Sequence, residues 1–221
     1  MQADLLVFDL DGTLIDSALD LALSVNAVRE RLGMAALPHE TVYSYVGNGA
    51  PMLIRRALGP EASQQTADES LRFFYAHYRE HMLDNTALYP GVGEALEAFR
   101  EAGKTMAVLT NKPVRFSEGI IDGLGLSGHF ERVYGGNSFE TKKPDPFGLN
   151  LLIDELNGAV ERTLMIGDSS VDIETARNAG TASVGVTYGL RPETFEQHPP
   201  DILVDSMLEL VEMLDGVRVE A

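Results

Sequence analysis

The sequence predicts an α/β fold, an open parallel sheet with an all-helical insertion after its first strand, and three observations carry that reading. Short apolar runs recur along the chain, each closing on a polar residue or glycine. Helical patterns with recognisable ends separate them. One stretch, 16–88, breaks the alternation, with helical spacing and no strand pattern inside it.

The runs are Leu5 to Phe8, Thr105 to Leu109, Thr163 to Ile166 and Ala182 to Val186. Uninterrupted apolar runs of this length suit parallel strands covered on both faces. After Lys143, Asp145 is the expected helix cap, with Pro146 at the first position. Leu149, Leu152, Ile153 and Leu156 form one stripe, and Gly158 is the expected stop. Ser169 or Asp168 is placed to cap a helix that runs to Ala179 and ends at Gly180. Within the insertion, Leu21, Val25, Val28 and Leu32 share a helical face, and 68–82 is a second helical segment. The expected organisation is a Rossmann-like α/β catalytic core of 1–15 and 89–221 and a helical cap of 16–88, with the return near Tyr89, Pro90 and Gly91.

Composition narrows the function. With 44% hydrophobic residues in 221, the chain can bury a proper core. It has no cysteine, which removes disulfides, thiolate nucleophiles and sulfur-bound zinc from consideration. No apolar run reaches membrane-spanning length, and no basic segment precedes an apolar signal core, so a cytoplasmic location and no membrane partner are expected. A net charge of −17 opposes binding to nucleic acid. Against that charge, three of the four lysines, Lys112, Lys142 and Lys143, lie in two short loops, a local cationic site suited to a small anion.

Four constellations carry chemistry. Asp9-Leu10-Asp11-Gly12-Thr13-Leu14 follows the first strand; alternate carboxylates there can serve one as attacking group and one as acid and base, with Gly12 allowing a sharp turn. Thr110-Asn111-Lys112-Pro113 offers a hydroxyl and free backbone N–H groups to a phosphate at a strand-to-helix turn. Lys142-Lys143-Pro144-Asp145 puts a lysine before a marked helix, and Gly167-Asp168-Ser169-Ser170-Val171-Asp172 supplies two carboxylates four apart. Singly, each has a plain structural reading: a polar turn or calcium loop, a helix start, a solvated charge, an N-cap. Three of the four close a core strand at its C-terminal end, where open α/β sheets bind ligands.

In this order the motifs resemble the haloacid dehalogenase superfamily, in its phosphatase branch with a helical cap after the first strand. That resemblance implies Asp9 as nucleophile, Asp11 as general acid and base, and Thr110 and Lys143 as phosphate binders, with Asn111 beside them. It also implies Mg2+ held by Asp9, the backbone carbonyl of Asp11, and Asp168, with Asp172 and Thr13 in support. Lys143, adjoining Pro144, fits the family pattern better than Lys142. Asp11 argues against the dehalogenases themselves, which lack the second aspartate, and the absence of lysine between Asp16 and Leu88 argues against the phosphonate-cleaving branch. The expected activity is hydrolysis of a small phosphate ester; a sugar phosphate mutase and a non-catalytic phosphate-binding protein are the alternatives.

Within the cap, Val46-Gly47-Asn48-Gly49-Ala50 resembles the glycine-bearing cap loop of phosphoglycolate phosphatases. Gly47, Asn48 and Arg55 are therefore the expected substrate-selecting positions, with Arg55 and Arg56 placed to approach a carboxylate. His77 and His81, four apart on a helix with no partner motif, read as ordinary helix residues.

Overall fold

The computed structural model describes residues 1–214 together with Gly216 and Val217. Its centre is a six-stranded, all-parallel sheet built from β1 (Leu5–Phe8), β4 (Thr105–Leu109), β5 (Arg132–Tyr134), β6 (Thr163–Gly167), β7 (Ala182–Val186) and β8 (Ile202–Val204), in the order β5-β4-β1-β6-β7-β8. β1 is central, in register with Thr105–Val108 on one side and Thr163–Ile166 on the other. Its four residues are all buried, so alternate side chains serve opposite faces. Leu5 and Val7 join Leu149, Leu152 and Ile153 of α7 (Phe147–Glu155) and Ala176 of α8 (Ser170–Ala179). Leu6 and Phe8 face the cluster containing Leu96 and Phe99 of α5 (Val92–Glu101) and Leu210 of α9 (Met207–Met213). Each fully buried aliphatic or aromatic side chain of this kind contributes about 1.5–3 kcal/mol.

The chain reaches β4 on one side of β1 and later crosses to β6 on the other. The loops after β4 and β6 therefore diverge above the C-terminal end of β1, opening the crevice in which this architecture holds ligands.

Within 16–88 lie four helices, α1 (Ala18–Arg31), α2 (His39–Tyr43), α3 (Ala50–Leu58) and α4 (Gln64–His81). Leu21, Val25 and Val28 of α1 are buried with Leu53 and Ile54 of α3 and with Phe74 and Tyr78 of α4. Leu32, expected to complete the α1 stripe, lies past the helix end and is 43% exposed. The strands β2 (Ile15–Asp16) and β3 (Ala87–Leu88), which sequence patterning does not reveal, pair antiparallel where the chain leaves and rejoins the sheet. Buried Asp20 fastens this junction, its carboxylate accepting from the backbone N–H and side-chain amide of Asn85 and from the N–H and hydroxyl of Thr86 at 2.7–3.1 Å.

Two helix ends differ in detail from expectation. At α7 the cap position is Pro146 and the helix begins at Phe147, one residue later than expected, although Asp145 Oδ1 accepts the Phe147 N–H at 2.9 Å; after α7 the left-handed residue is Asn157 (φ 53°) rather than Gly158. At α8, Ser169 is the cap and Gly180 (φ 78°) the stop, while Asp168 points elsewhere. No helix among the described residues is long and apolar enough to cross a membrane.

Candidate active site

Asp9 is the first residue past β1, so the strand aims it into the crevice. Its carboxylate and those of Asp168 and Asp172 each offer an oxygen within 4.8 Å of the others. Lys143 Nζ sits among them, 2.9 Å from Asp9 Oδ1 and 2.6 Å from Asp172 Oδ1. The contact to Asp9 is an ion pair whose angle falls outside hydrogen-bond geometry. Asp9 Oδ1 is thus buried with its charge offset and no directed donor.

The three carboxylates are held in different ways. Asp172 is saturated: Oδ1 takes Lys143, and Oδ2 accepts both the N–H (3.2 Å) and the hydroxyl (2.8 Å) of Ser169, its own helix cap. Asp168 Oδ2 accepts the backbone N–H groups of Leu190 (2.7 Å) and Arg191 (3.2 Å). The chain passes close enough at Gly12 that a Cβ there would lie 2.1 Å from Asp168 Oδ2, and its φ of +85° is one that glycine adopts freely. Asp9 Oδ1 is fully buried and receives no hydrogen bond among the described residues.

Burial pushes the Asp9 carboxyl up to about 6, Lys143 pulling it down and Asp172 raising it further. Asp168 is pushed well above the usual carboxylate range, by burial first and then by Asp172 and Asp9. For Lys143, burial opposes the charge, but Asp172 and Asp9 outweigh it and the ammonium is held above its ordinary value. Crowded carboxylates raised by burial and by one another, one of them with an undonated oxygen, fit a hard divalent cation that takes oxygen ligands. Asp9 and Asp168 are the side chains free to hold it.

The neighbouring loop brings Thr110 and Asn111 to the same crevice. Thr110 Oγ1 accepts the Lys112 N–H at 3.2 Å, which leaves its hydroxyl hydrogen available. Asn111 departs from expectation: its amide donates to Gly47 O (2.9 Å) and Lys143 O (3.1 Å), so the side chain is a strut between the loops and has no donor left for phosphate. Thr13 is fully buried beneath the site, its carbonyl accepting from the Tyr188 hydroxyl at 2.9 Å.

The helical insertion closes over these loops. Gly47 and Gly49 line a cavity of about 40 Å³ with Asp9, Asp11, Thr110, Lys112 and Tyr78. Lys142 Nζ donates to Asn48 O at 2.8 Å, and Arg191 Nη1 to Ser44 O at 2.8 Å, so both cations tie the core to the insertion loop. Arg55 is not brought to the cavity: it donates to Ala62 O (2.9 Å) and Gln64 Oε1 (2.5 Å), satisfying the turn after its own helix. Arg56 is bound likewise to Tyr45 O. His77 and His81 do not line the cavity: His77 Nδ1 is 3.0 Å from the Ser24 hydroxyl of α1 and His81 Nδ1 2.7 Å from Asp84.

Of two further participants, the sequence singles out Lys112 only as part of a cationic pair of loops and Tyr78 not at all. Lys112 is buried, its Nζ 2.8 and 3.2 Å from the two oxygens of Asp11. Tyr78, from α4, accepts from the same ammonium at 2.7 Å. Burial opposes the Lys112 charge, yet Asp11 and Tyr78 hold it above its ordinary value, while burial pushes the Tyr78 phenol up to about 12. Ser17 Oγ also donates to Asp11 Oδ1. The signal for Lys112 is its place in the loop motif of a lysine-poor chain; Tyr78, four residues after Phe74 on an apolar face, gives none.

Residues 6–186 match the family model described as haloacid dehalogenase-like hydrolase. A phosphoglycolate phosphatase of Colwellia psychrerythraea is 40% identical over 95% of this chain and 96% of its own. One from Vibrio parahaemolyticus is 41% identical over 95% of each. The crystal structure of a predicted phosphoglycolate phosphatase from Haemophilus somnus superposes with a TM-score of 0.91 at 33% identity, covering 96% of this chain and 98% of that one. With the family model spanning most of its length and a parallel sheet presenting Asp9 to Lys143, Asp168 and Asp172, the chain belongs to the haloacid dehalogenase-like hydrolases.

Proposed function

We propose that this chain hydrolyses small phosphate monoesters through a phosphorylated Asp9, with 2-phosphoglycolate as its substrate. It is a phosphoric monoester hydrolase, and relatives named phosphoglycolate phosphatase that match nearly its whole length support the finer substrate. The observation that carries the mechanism is the setting of Asp9, a buried carboxylate with one undonated oxygen, 2.9 Å from a lysine and clustered with Asp168 and Asp172.

An Asp9 oxygen bonds to phosphorus as the ester P–O bond breaks, and Asp11 gives a proton to the departing alkoxide. Asp11 then takes a proton from water as that water attacks the same phosphorus. The bond to Asp9 breaks, inorganic phosphate leaves, and both carboxyl groups return to their starting states. Lys143 and the Thr110 hydroxyl serve the phosphoryl oxygens, and Asp172 fixes Lys143 by its 2.6 Å contact. Mg2+ held by Asp9, the Asp11 backbone carbonyl and Asp168 would supply the remaining charge neutralisation that an anionic nucleophile needs against an anionic phosphate. In this reading 16–88 is a cap that excludes water from the core of 1–15 and 89–221, in a cytoplasmic enzyme.

Phosphate release from 2-phosphoglycolate with Mg2+ tests the reading directly, and full activity after exhaustive chelation contradicts the metal's part in it. Asp11→Asn tests the two-step mechanism. On p-nitrophenyl phosphate, whose leaving group needs no proton, this variant should release close to one equivalent of nitrophenol and then stall. A variant that still binds Mg2+ but gives neither burst nor turnover would show that Asp11 is needed for the attack itself.

A further inference from the structure

Lys112 is a buried cation that the hydrolytic steps above leave without a task. Lys143 serves the phosphoryl group, and Lys142 and Arg191 bind the insertion loop from outside the cavity. Among the described residues lining the cavity, the charged ones are Asp9, Asp11 and Lys112. Holding Asp11 in place does not by itself call for a lysine, since Ser17 already donates to it. A buried ammonium loses its hydration, so its presence there needs a reason.

The leaving group supplies one. Asp11 protonates the ester oxygen, so the group attached to that oxygen lies in the cavity beside Asp11. Of the two side chains that donate to Asp11, Ser17 and Lys112, Lys112 lines that cavity, with Tyr78 beyond it and the apolar side chains of Leu53 and Phe74 as walls. The Tyr78 hydroxyl accepts from Lys112, and its own hydrogen has no acceptor among the described residues although the side chain is only 1% exposed. A buried donor of that kind is costly to leave unmade. The 3.2 Å contact from Lys112 to Asp11 Oδ2 is the longest of the three made by the ammonium, and so the one most readily exchanged for a substrate oxygen. A cavity of about 40 Å³ admits only a short group.

We propose that Lys112 and Tyr78 form the specificity pair that receives a carboxylate carried by the leaving alcohol, one carbon beyond the ester carbon oxygen-bonded to phosphorus at most. The pair is divided between the core and α4, so it is complete only when the insertion is closed. Closure then depends on the substrate's far end as well as on its phosphate. The inference rests on the hydrolase reading above and deepens it: a short hydroxy-acid phosphate is preferred because its second anion meets the cavity's own cation, while a neutral end leaves the Lys112 charge answered by Asp11 alone and the Tyr78 hydroxyl hydrogen without an acceptor.

The test compares kcat/KM for 2-phosphoglycolate with that for 2-hydroxyethyl phosphate, which has the same spacer and a neutral end, using the full chain with Mg2+. The wild type should prefer the carboxylate on the order of 100-fold or more. Lys112→Met should bring the two within about threefold, mainly through a higher KM for 2-phosphoglycolate, and Tyr78→Phe should lower the preference roughly tenfold. Should Lys112→Met fail to fold, Tyr78→Phe decides, since it removes a single hydroxyl. Equal losses on both esters, a preference that survives in the variants, or a wild type without preference overturns the inference and leaves the phosphatase reading standing. A wild type that hydrolyses neither ester overturns the reading beneath it.

Discussion

The two sides of the cavity are built on different principles. On the core side, Asp9, Lys143, Asp168 and Asp172 come from loops at the ends of adjacent strands, and Asp172, Asp168 and Lys143 each engage two or more groups. Across the seam with the insertion, isolated polar ties do the work: Tyr78 to Lys112, Asn111 to Gly47, Lys142 to Asn48, and Arg191 to Ser44 and more loosely Val46. The core side is fixed by folding itself. The seam is a set of separable contacts, which on the proposed reading would let the insertion open for substrate and close for reaction. Substitutions on the core side should therefore remove chemistry outright, and those at the seam should change selection or affinity by smaller steps.

The largest effect is expected at Asp9. Asp9→Asn keeps the size and shape of the side chain but offers no nucleophile, and turnover should fall on the order of 10⁴-fold or more, with the protein still folded. Substantial residual turnover in a clean preparation would break the comparison at its firmest point. Lys143→Ala should cost on the order of 10²–10³-fold in rate, as for removal of a preorganised stabilising donor. It should also lower stability by about 3 kcal/mol, because buried Asp172 and Asp9 lose their cation. Steady-state kinetics with chemical denaturation measures both, and a large rate loss without any loss of stability would mean that the two carboxylates find another partner.

How much of this was legible in the sequence follows the same division. Asp9, Lys143, Asp168 and Asp172 lie in motifs that follow strands or open helices, where local rules of strand ends and caps already place them. The runs read as strands coincide with β1, β4 and β7, and β6 extends by one residue to Gly167. Short strands were the ones missed: β8 has three residues, and β2 and β3 two each, too few to show a period. At the seam, contacts are made by backbone carbonyls of Gly47, Asn48 and Ser44, which carry no residue signature. Arg55 reads as a ligand and Tyr78 carries no signal, because a helix's amphipathic pattern cannot say which neighbour its faces meet. The structure turns Arg55 to Ala62 and brings Tyr78 to Lys112.

The junction between the two sides is itself a test. Asp20→Ala would leave the buried donors of Asn85 and Thr86 unpaired and should destabilise the protein by about 2–4 kcal/mol. The loss is readable as a shift in the denaturation midpoint. Asp20→Asn should recover only part of it, since an amide presents one acceptor oxygen in place of two. Full stability in Asp20→Ala would show that the β2–β3 pairing holds the junction unaided.

The metal's contribution has a pH signature with a defined sign. Without metal, Asp9 is held at about 6 against a usual 3.8, and Asp168 is also raised. A carboxyl raised on folding contributes stability that is full below its unfolded value and is lost as pH rises through its folded value. For Asp9 that window runs from roughly 4 to 6, and Asp168 shifts in the same direction. Mg2+ takes the ionised forms, so the rise in Tm on adding Mg2+ should grow from pH 5 to pH 8, by a few degrees for a gain of about 1 kcal/mol. Thermal scans with and without Mg2+ measure it, and a shift that shrinks with rising pH would place the metal elsewhere.

The smallest effect is expected at Lys142, next in sequence to Lys143 and opposite to it in kind. Its side chain is exposed, and its partner is a neutral backbone carbonyl of the insertion loop, Asn48 O at 2.8 Å. Water can replace that contact, so Lys142→Ala should alter stability by about 0.5 kcal/mol or less. What remains is its help in keeping the insertion closed, which should appear as a KM increase of about two- to threefold with kcat nearly unchanged. The pair of neighbouring lysines thus sets the two principles side by side, one buried between carboxylates and one tying a loop at the surface. A hundredfold loss in Lys142→Ala, with Lys143→Ala close to wild type, would reverse their roles and put the phosphate-binding lysine on the seam rather than in the core.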